Sequence, residues 1–255
     1  MLVVPYSERP DLVERLGEVE DVWPEFIHHT GETFNALWNR VRREFPDFQL
    51  VLYDDDADRV AGRGQTIPFR WDGTFEDLPD GVDGVLRRAF EEGGEPTAVS
   101  ALVAVVDPRY QGRGVSTSII EGMRGVAAGH GLDALLAPVR PTLKSRYPLI
   151  PIERYLTWRR ADGQLFDPWL RVHERLGAEI LGVCRGSLVV EGTVAEWEEW
   201  TGMAFPDSGS YVVEGALVPV EIDRDQDAGR YVEPNVWMRH TVSVGDATAA
   251  GPRDF

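Results

Sequence analysis

The stretch VSALVAVVDPRYQGRGVSTSIIEGMRGVAAG, residues 99–129, decides how the rest of this 255-residue chain is read. It opens as a near-continuous, valine-rich apolar run, the pattern of a strand covered on both faces. It then passes through Asp107-Pro108 and two closely spaced glycines, Gly112 and Gly114, into a helix that ends in glycine. The following LDALLAPV (132–139) reads as a second buried strand, which completes a β-turn-α-β unit.

At a strand-to-helix junction the first-turn N–H groups lack partners and the helix dipole is positive, so such a turn can hold a phosphate. Glycines at 112 and 114 would let the backbone amides approach an anion closely. Gln111 and Arg113 would supply further donors, and Ser116 would cap the helix or add a hydroxyl. A glycine pair by itself is a weak signal, because tight turns and close helix packing need glycine too. Two other phosphate-binding patterns drop out. A Rossmann turn requires three glycines, and a Walker loop ends in Gly-Lys-Ser or Gly-Lys-Thr.

Outward from this unit the chain reads as a mixed α/β sheet in one domain over 1–242, followed by a flexible tail at 243–255. Leu12, Leu16 and Val19, then Phe34, Leu37, Trp38 and Val41, predict two N-terminal helices broken at HHTGE. FQLVLYD and VAGRGQTIPFRW predict a hairpin around the acidic turn DDDADR. GVDGVLRRAFEEGG predicts a helix. Beyond residue 139 come a helix over DPWLRVHERLG, a strand or strand pair over AEILGVCRGSLVVEG, a helix over TVAEWEEWTG and a last strand over SYVVEGALVPVEI. The helix at TVAEWEEWTG is amphipathic and would cover the sheet or form a homodimer contact, the first being the safer reading.

Bulk composition narrows the function classes. With 43% hydrophobic residues the chain can bury a large core, and no apolar run approaches the roughly 20 residues of a membrane span. No signal peptide opens it, so a cytoplasmic address is expected. A balance of 26 basic against 43 acidic residues, net −17, argues against a nucleic-acid partner. The single cysteine, Cys184, excludes an internal disulfide and any cysteine-rich metal site, and five scattered histidines form no ligand motif, so no metal is expected. Cys184 reads as a buried structural thiol. Lys144 is the only lysine, which either reflects chance in an arginine-biased sequence or marks a place where a compact ammonium is needed.

The segment Gln111-Gly112-Arg113-Gly114-Val115-Ser116 resembles the acyl-CoA-binding signature of the GNAT acetyltransferase superfamily: Gln or Arg, two residues, Gly, one residue, then Gly or Ala. Ser116 in the last small position is a mild departure. VHERLGAEILG resembles the same superfamily's helix-to-strand segment, usually Leu-Tyr-x-x-Leu-Gly-Phe. The resemblance covers about residues 48 to 190. It implies a fold whose two central strands splay, with pantetheine in the wedge, backbone groups of Val105, Val106 and Asp107 hydrogen-bonding it, and the diphosphate on residues 111 to 116.

It also implies a role for His173, which stands where the superfamily has the tyrosine that protonates the departing thiolate. A histidine near its ordinary pKa of about 6.5 could do that work. The longer polar segment APVRPTLKSRYPLIP carries Arg140, Thr142, Lys144 and Arg146. With His173 and Trp38 it resembles the GNAT-like loading domains of modular polyketide synthases of the curacin type. That resemblance implies a malonyl- or methylmalonyl-CoA substrate, Thr142 and His173 holding carboxylate and enolate, Trp38 walling the acyl pocket, Arg185 as a further polar contact, and a carrier protein as acceptor. Donors at the thioester oxygen and a proton source are what decarboxylation needs. Two other readings stay open at this level: an acetyl-CoA-dependent transferase with an amine acceptor, and a module that binds acyl-CoA without turnover.

Overall fold

The computed structural model describes residues 1–20, 22–243 and 245. Most of the expected tail at 243–255, and the side chain of Phe34, lie outside the described residues. Among the described residues the architecture is a mixed α/β sheet of nine strands: β1 (Leu2–Pro5), β2 (Gln49–Asp54), β3 (Arg59–Phe69), β4 (Ala98–Val106), β5 (Ala134–Val139), β6 (Glu179–Gly192), β7 (Gly209–Tyr211), β8 (Val220–Asp223) and β9 (Ala228–Thr241). The strand order is β1-β2-β3-β4-β5-β9-β8-β7, and β6 lies along the other edge of β9. Among the described residues no helix is long and apolar enough to cross a membrane.

Period-two alternation assigns side chains to two faces. On one face Leu50, Leu135, Ile119, Ile120 and Met123 form a core under α4 (Val115–Gly129). Each such buried aliphatic contributes about 2 kcal/mol of apolar burial. α6 (Pro168–Arg175) lies on the same face, over Ala137, Val139 and Met238. On the opposite face α2 (Glu32–Glu44) and α3 (Gly81–Arg87) cover Ile67, Phe69, Leu136 and Trp237. The first part of the chain covers Val51, Val60 and Val105. Here the single early helix expected from Leu12, Leu16 and Val19 is broken. α1 (Pro10–Val13) stops after one turn, and a 3-10 turn at 16–18 carries the next buried leucine.

α5 (Ile152–Tyr155) is a one-turn helix that no periodicity announced. α7 (Val194–Thr201) begins at a Thr193/Glu196 capping box and buries Trp197 against Phe26 and Tyr231, so it covers the sheet. SYVVEGALVPVEI is not one strand but two, β7 and β8. The strand missing from the expectation altogether is β9, which runs through the middle of the sheet and pairs with β5, β6 and β8.

β4 departs from its expectation in an informative way. Its first half is fully buried, but Ala101–Ala104 are only half-buried. The cause is its neighbours. β4 pairs with β5 in parallel only at Val99↔Leu135 and Ser100↔Leu136, then diverges from it. On its other edge it stays paired with β3 up to Gly62↔Val106. Opposite Gln65 and Thr66 stand Val103 and Ala101, so Leu102 is an extra residue in β4. A bulge bends and twists the strand that carries it, which turns β4 away from β5 at this point.

Candidate active site

The divergence leaves a wedge. Past Ser100, every second residue of β4 turns N–H and C=O groups toward a partner strand that is no longer there, and buried backbone groups of this kind require a ligand or water. Val106 is one of these residues, whereas Val105, two residues before Asp107, whose N–H bonds the Ala61 carbonyl, turns its backbone groups to Arg63 on β3, so the expected cofactor contact from Val105 is not available.

The turn at its mouth is built for close approach. Gly112 and Gly114 have φ of +75° and +80°, which L side chains adopt only with strain, and a Cβ at either would meet no protein atom within 4 Å. Gly114 is the N-cap of α4 and supplies no side-chain cap, while the N–H groups of Thr117 and Ser118 already return to its carbonyl. The amides of Gly112, Gly114, Val115 and Ser116 have no protein acceptor among the described residues. Four amides at the positive end of a 15-residue helix are the arrangement that can hold an anion. Gln111 and Arg113 are exposed beside them, with the Arg113 guanidinium 5.6 Å from the ring centre of Tyr110. Val115 buries its side chain in the core, leaving only its amide to the turn.

The backbone of Asp107, expected to bond the cofactor, is engaged within the protein: its N–H donates to the Ala61 carbonyl (3.0 Å) and its C=O accepts from the Tyr110 N–H (2.8 Å). Its fully buried carboxylate accepts from Arg109 Nε (2.7 Å), Arg109 Nη2 (2.6 Å) and the Arg109 backbone N–H (2.9 Å). The Arg109 guanidinium holds the carboxyl down at about 2. Through these bonds Asp107 fixes the shape of the turn.

His173 also departs from its expectation. It is 3% exposed, stacks edge-on against Trp169, and its Nδ1 lies 2.9 Å from Nε2 of His240 on β9. Burial, reinforced by the neighbouring imidazole, pushes its pKa down to about 3. It is therefore neutral at pH 7 and has no imidazolium proton to give, and its Nε2 is shut off from solvent.

The remaining expected residues are dispersed. Trp38 is half-buried on the face opposite α4, in the cluster that includes the bulge residue Leu102. It and His173 thus lie on opposite faces of the sheet. Thr142 is exposed in the turn after β5. Arg185 is exposed at an irregular point of β6 and pairs with Glu153 at 2.7 Å. Arg140 is committed to Glu233 (2.9 Å) and the Gly215 carbonyl (2.6 Å). Lys144, fully buried, donates to the carbonyls of Tyr147 (2.9 Å) and Leu217 (2.5 Å), so the lone lysine is a structural clasp. The Cys184 thiol is buried and pushed up to about 11 by desolvation, as inert as expected.

One residue escaped the sequence reading. Asp83, on α3, is half-buried with Oδ1 unbonded, and desolvation pushes its carboxyl up to about 6 against the opposing pull of Arg87. Its position at the edge of the apolar face of α3, beside Val82 and Leu86, was the available signal.

No family model matches the sequence. An arginine N-acetyltransferase, avaD of Aspergillus versicolor, is 30% identical over 270 aligned positions covering 92% of this chain and 92% of that protein. The chain belongs to the GNAT acetyltransferase superfamily. Two solved GNAT-like structures share the fold at a TM-score of 0.55. The loading GNATL domain of CurA from Lyngbya majuscula is 17% identical, with 94% of this chain and 96% of that one covered. The GphF GNAT-like decarboxylase, solved with isobutyryl-CoA, is 16% identical, with 95% and 100% covered. The wedge between β4 and β5 and the glycine turn at 111–116 stand where the sequence resemblance led them to be expected, and His173 is paired with His240.

Proposed function

We propose that the protein transfers an acyl group from acyl-CoA to the amine of an arginine-like acceptor. The observation that carries this reading is the adjacency of the wedge past Ser100 and Leu136 to the unpaired amides of Gly112, Gly114, Val115 and Ser116. Diphosphate oxygens accept from those amides, with Gln111 and Arg113 alongside, and pantetheine takes the place of the missing strand along Ala101–Val106. The thioester then lies where Leu102 and Trp38 meet the gap. The similarity to avaD along nearly the whole chain supports an amine nucleophile.

The amine attacks the thioester carbonyl, the C–S bond breaks, and the nitrogen gives up a proton as the thiolate takes one up. Neutral His173 does not protonate the thiolate, so that proton comes by way of solvent. Asp83 lies on α3, which packs on the same sheet face as Trp38 and Leu102, and with its carboxyl near 6 it is suited to receive the amine's proton. A chain rich in carboxylates favours a cationic acceptor electrostatically.

The alternative, decarboxylation of a malonyl-type thioester, is supported by the exposed Thr142 hydroxyl beyond β5 and weakened by the loss of His173 as a proton source. Mass spectrometry of the protein with acetyl-CoA and arginine, and with malonyl-CoA alone, separates the two. Acetylarginine and free CoA in the first mixture support the amine reading. Acceptor-free acetyl-CoA in the second, with no product in the first, replaces it.

A further inference from the structure

On the face opposite α4, one row of side chains crosses four strands in register. Tyr6, just past β1, donates its backbone N–H to the Gln49 carbonyl at 2.9 Å; Gln49 stands opposite Gln65, and Gln65 opposite Val103 on the diverging part of β4. Directly paired residues point to the same face. The first three are polar and nearly inaccessible, at 4%, 0% and 1% exposure. Gln49 Nε2 bonds the carbonyls of Phe45 and Thr66 (2.8 Å each), but the Tyr6 hydroxyl, Gln49 Oε1 and both polar atoms of Gln65 have no hydrogen-bond partner among the described residues.

Native interiors leave few buried polar groups unpaired, and each one left so is destabilising. Four unpaired atoms in a single row are a set of donors and acceptors that a polar guest would satisfy. Positive charge borders the row: burial raises the Tyr6 pKa, the guanidinium groups of Arg42 and Arg63 act against that rise, and Arg63 is half-buried two residues before Gln65 on the same face of β3. The row ends at Val103, on the strand that diverges past the bulge.

We infer that the row Tyr6–Gln49–Gln65, bordered by Arg63, receives a carboxylate carried by one of the substrates. The Tyr6 hydroxyl and Gln65 Nε2 donate to it, and Arg63 supplies the countercharge. The carboxylate belongs either to the acceptor, as in an amino acid, or to the acyl chain, as in malonyl-CoA. The inference rests on the proposed acyl-CoA chemistry and specifies what lies beyond the reacting atoms.

Two pairs of probes distinguish the sources. Arginine is compared with agmatine, which lacks the carboxylate, by acetyl-CoA-dependent release of CoA. Malonyl-CoA is compared with acetyl-CoA by titration calorimetry. If the acceptor's carboxylate is read, arginine exceeds agmatine in kcat/KM by about tenfold or more, and Gln65→Leu and Tyr6→Phe bring that ratio toward one. If the acyl carboxylate is read, malonyl-CoA binds about tenfold more tightly than acetyl-CoA and the same variants remove the difference. Because the Gln65 side-chain amide is unpaired among the described residues, Gln65→Leu keeps or raises Tm, which separates recognition from folding. Equal use of arginine and agmatine together with equal binding of the two thioesters means that only water fills the row and overturns the inference, with the amine reading intact. Acetylation of neither amine removes the amine reading, and the calorimetric comparison then decides the inference alone.

Discussion

His173 and His240, 67 residues apart in the chain, face each other across α6 and β9 with Nδ1 and Nε2 at 2.9 Å, and both are buried. One proton serves the contact, so at least one of the two rings is neutral whenever it exists.

This pair makes folding sensitive to acid. The folded-state pKa of His173, about 3, is below the ordinary 6.5, so between these values the unfolded chain binds more protons. Stability is therefore full above about 6.5 and falls as the pH drops toward 3, by about 1.4 kcal/mol per unit within that window from this group alone. NMR of the imidazole nuclei should show His173 unprotonated at pH 5. A midpoint near 6.5 would restore it as a proton donor.

The glycine turn gives a second prediction. Gly112→Val and Gly114→Val each put a branched side chain where φ is positive, at a strain of about 1–2 kcal/mol, and into the space assigned to the diphosphate. KM for acetyl-CoA should rise at least about tenfold, the loss expected from one or more charge-assisted hydrogen bonds. Acetyl-pantetheine, which has no diphosphate, should be used equally well by variant and parent. An equal loss with both thioesters would place the diphosphate elsewhere.

Asp83 offers a third test with the opposite pH sign. Its folded pKa of about 6 is above the ordinary 3.8, so the folded state holds the proton more tightly and stability falls as the pH rises through that interval. Partial solvent access limits the penalty to about 1–2 kcal/mol at pH 7.5. Asp83→Asn should raise the urea midpoint at pH 7.5 and leave it unchanged near pH 4. If this carboxylate takes the amine's proton, the same variant also lowers kcat and removes the acidic limb of the kcat/KM profile. A kcat equal to the parent's would assign that proton to solvent.

Lys144 should matter to folding and not to catalysis. Lys144→Met leaves the carbonyls of Tyr147 and Leu217 without their donor, at about 1–3 kcal/mol for each buried group left unpaired. Thermal unfolding should shift down by several degrees while KM for acetyl-CoA stays put. An amine-selective reagent should modify the native protein at the N-terminus well before Lys144. Rapid labelling of Lys144 would contradict its burial.

The unit from residue 98 to 139 was legible because its signals are local. An apolar run, two glycines at positive φ, a helix and a second apolar run need no knowledge of distant residues. The strand β9 was not legible, since AGRYVEPNVWMRHT mixes Arg230, Glu233, Asn235 and His240 with apolar residues and contains Pro234. It can occupy the centre of the sheet because those polar groups find partners far away in sequence: Glu233 meets Arg140, Asn235 meets Ser187, and His240 meets His173.

By itself the sequence determined the glycine turn, its helix and the strands around it, because each rests on backbone geometry that a few neighbouring residues impose, and the superfamily was legible through the resemblance its motifs carry. The tertiary structure alone decided the protonation of His173, the engagement of Asp107, Arg140 and Lys144, and the buried row at Tyr6, Gln49 and Gln65. Desolvation and hydrogen-bond pairing depend on what packs above a residue, and here the packing groups come from elsewhere in the chain.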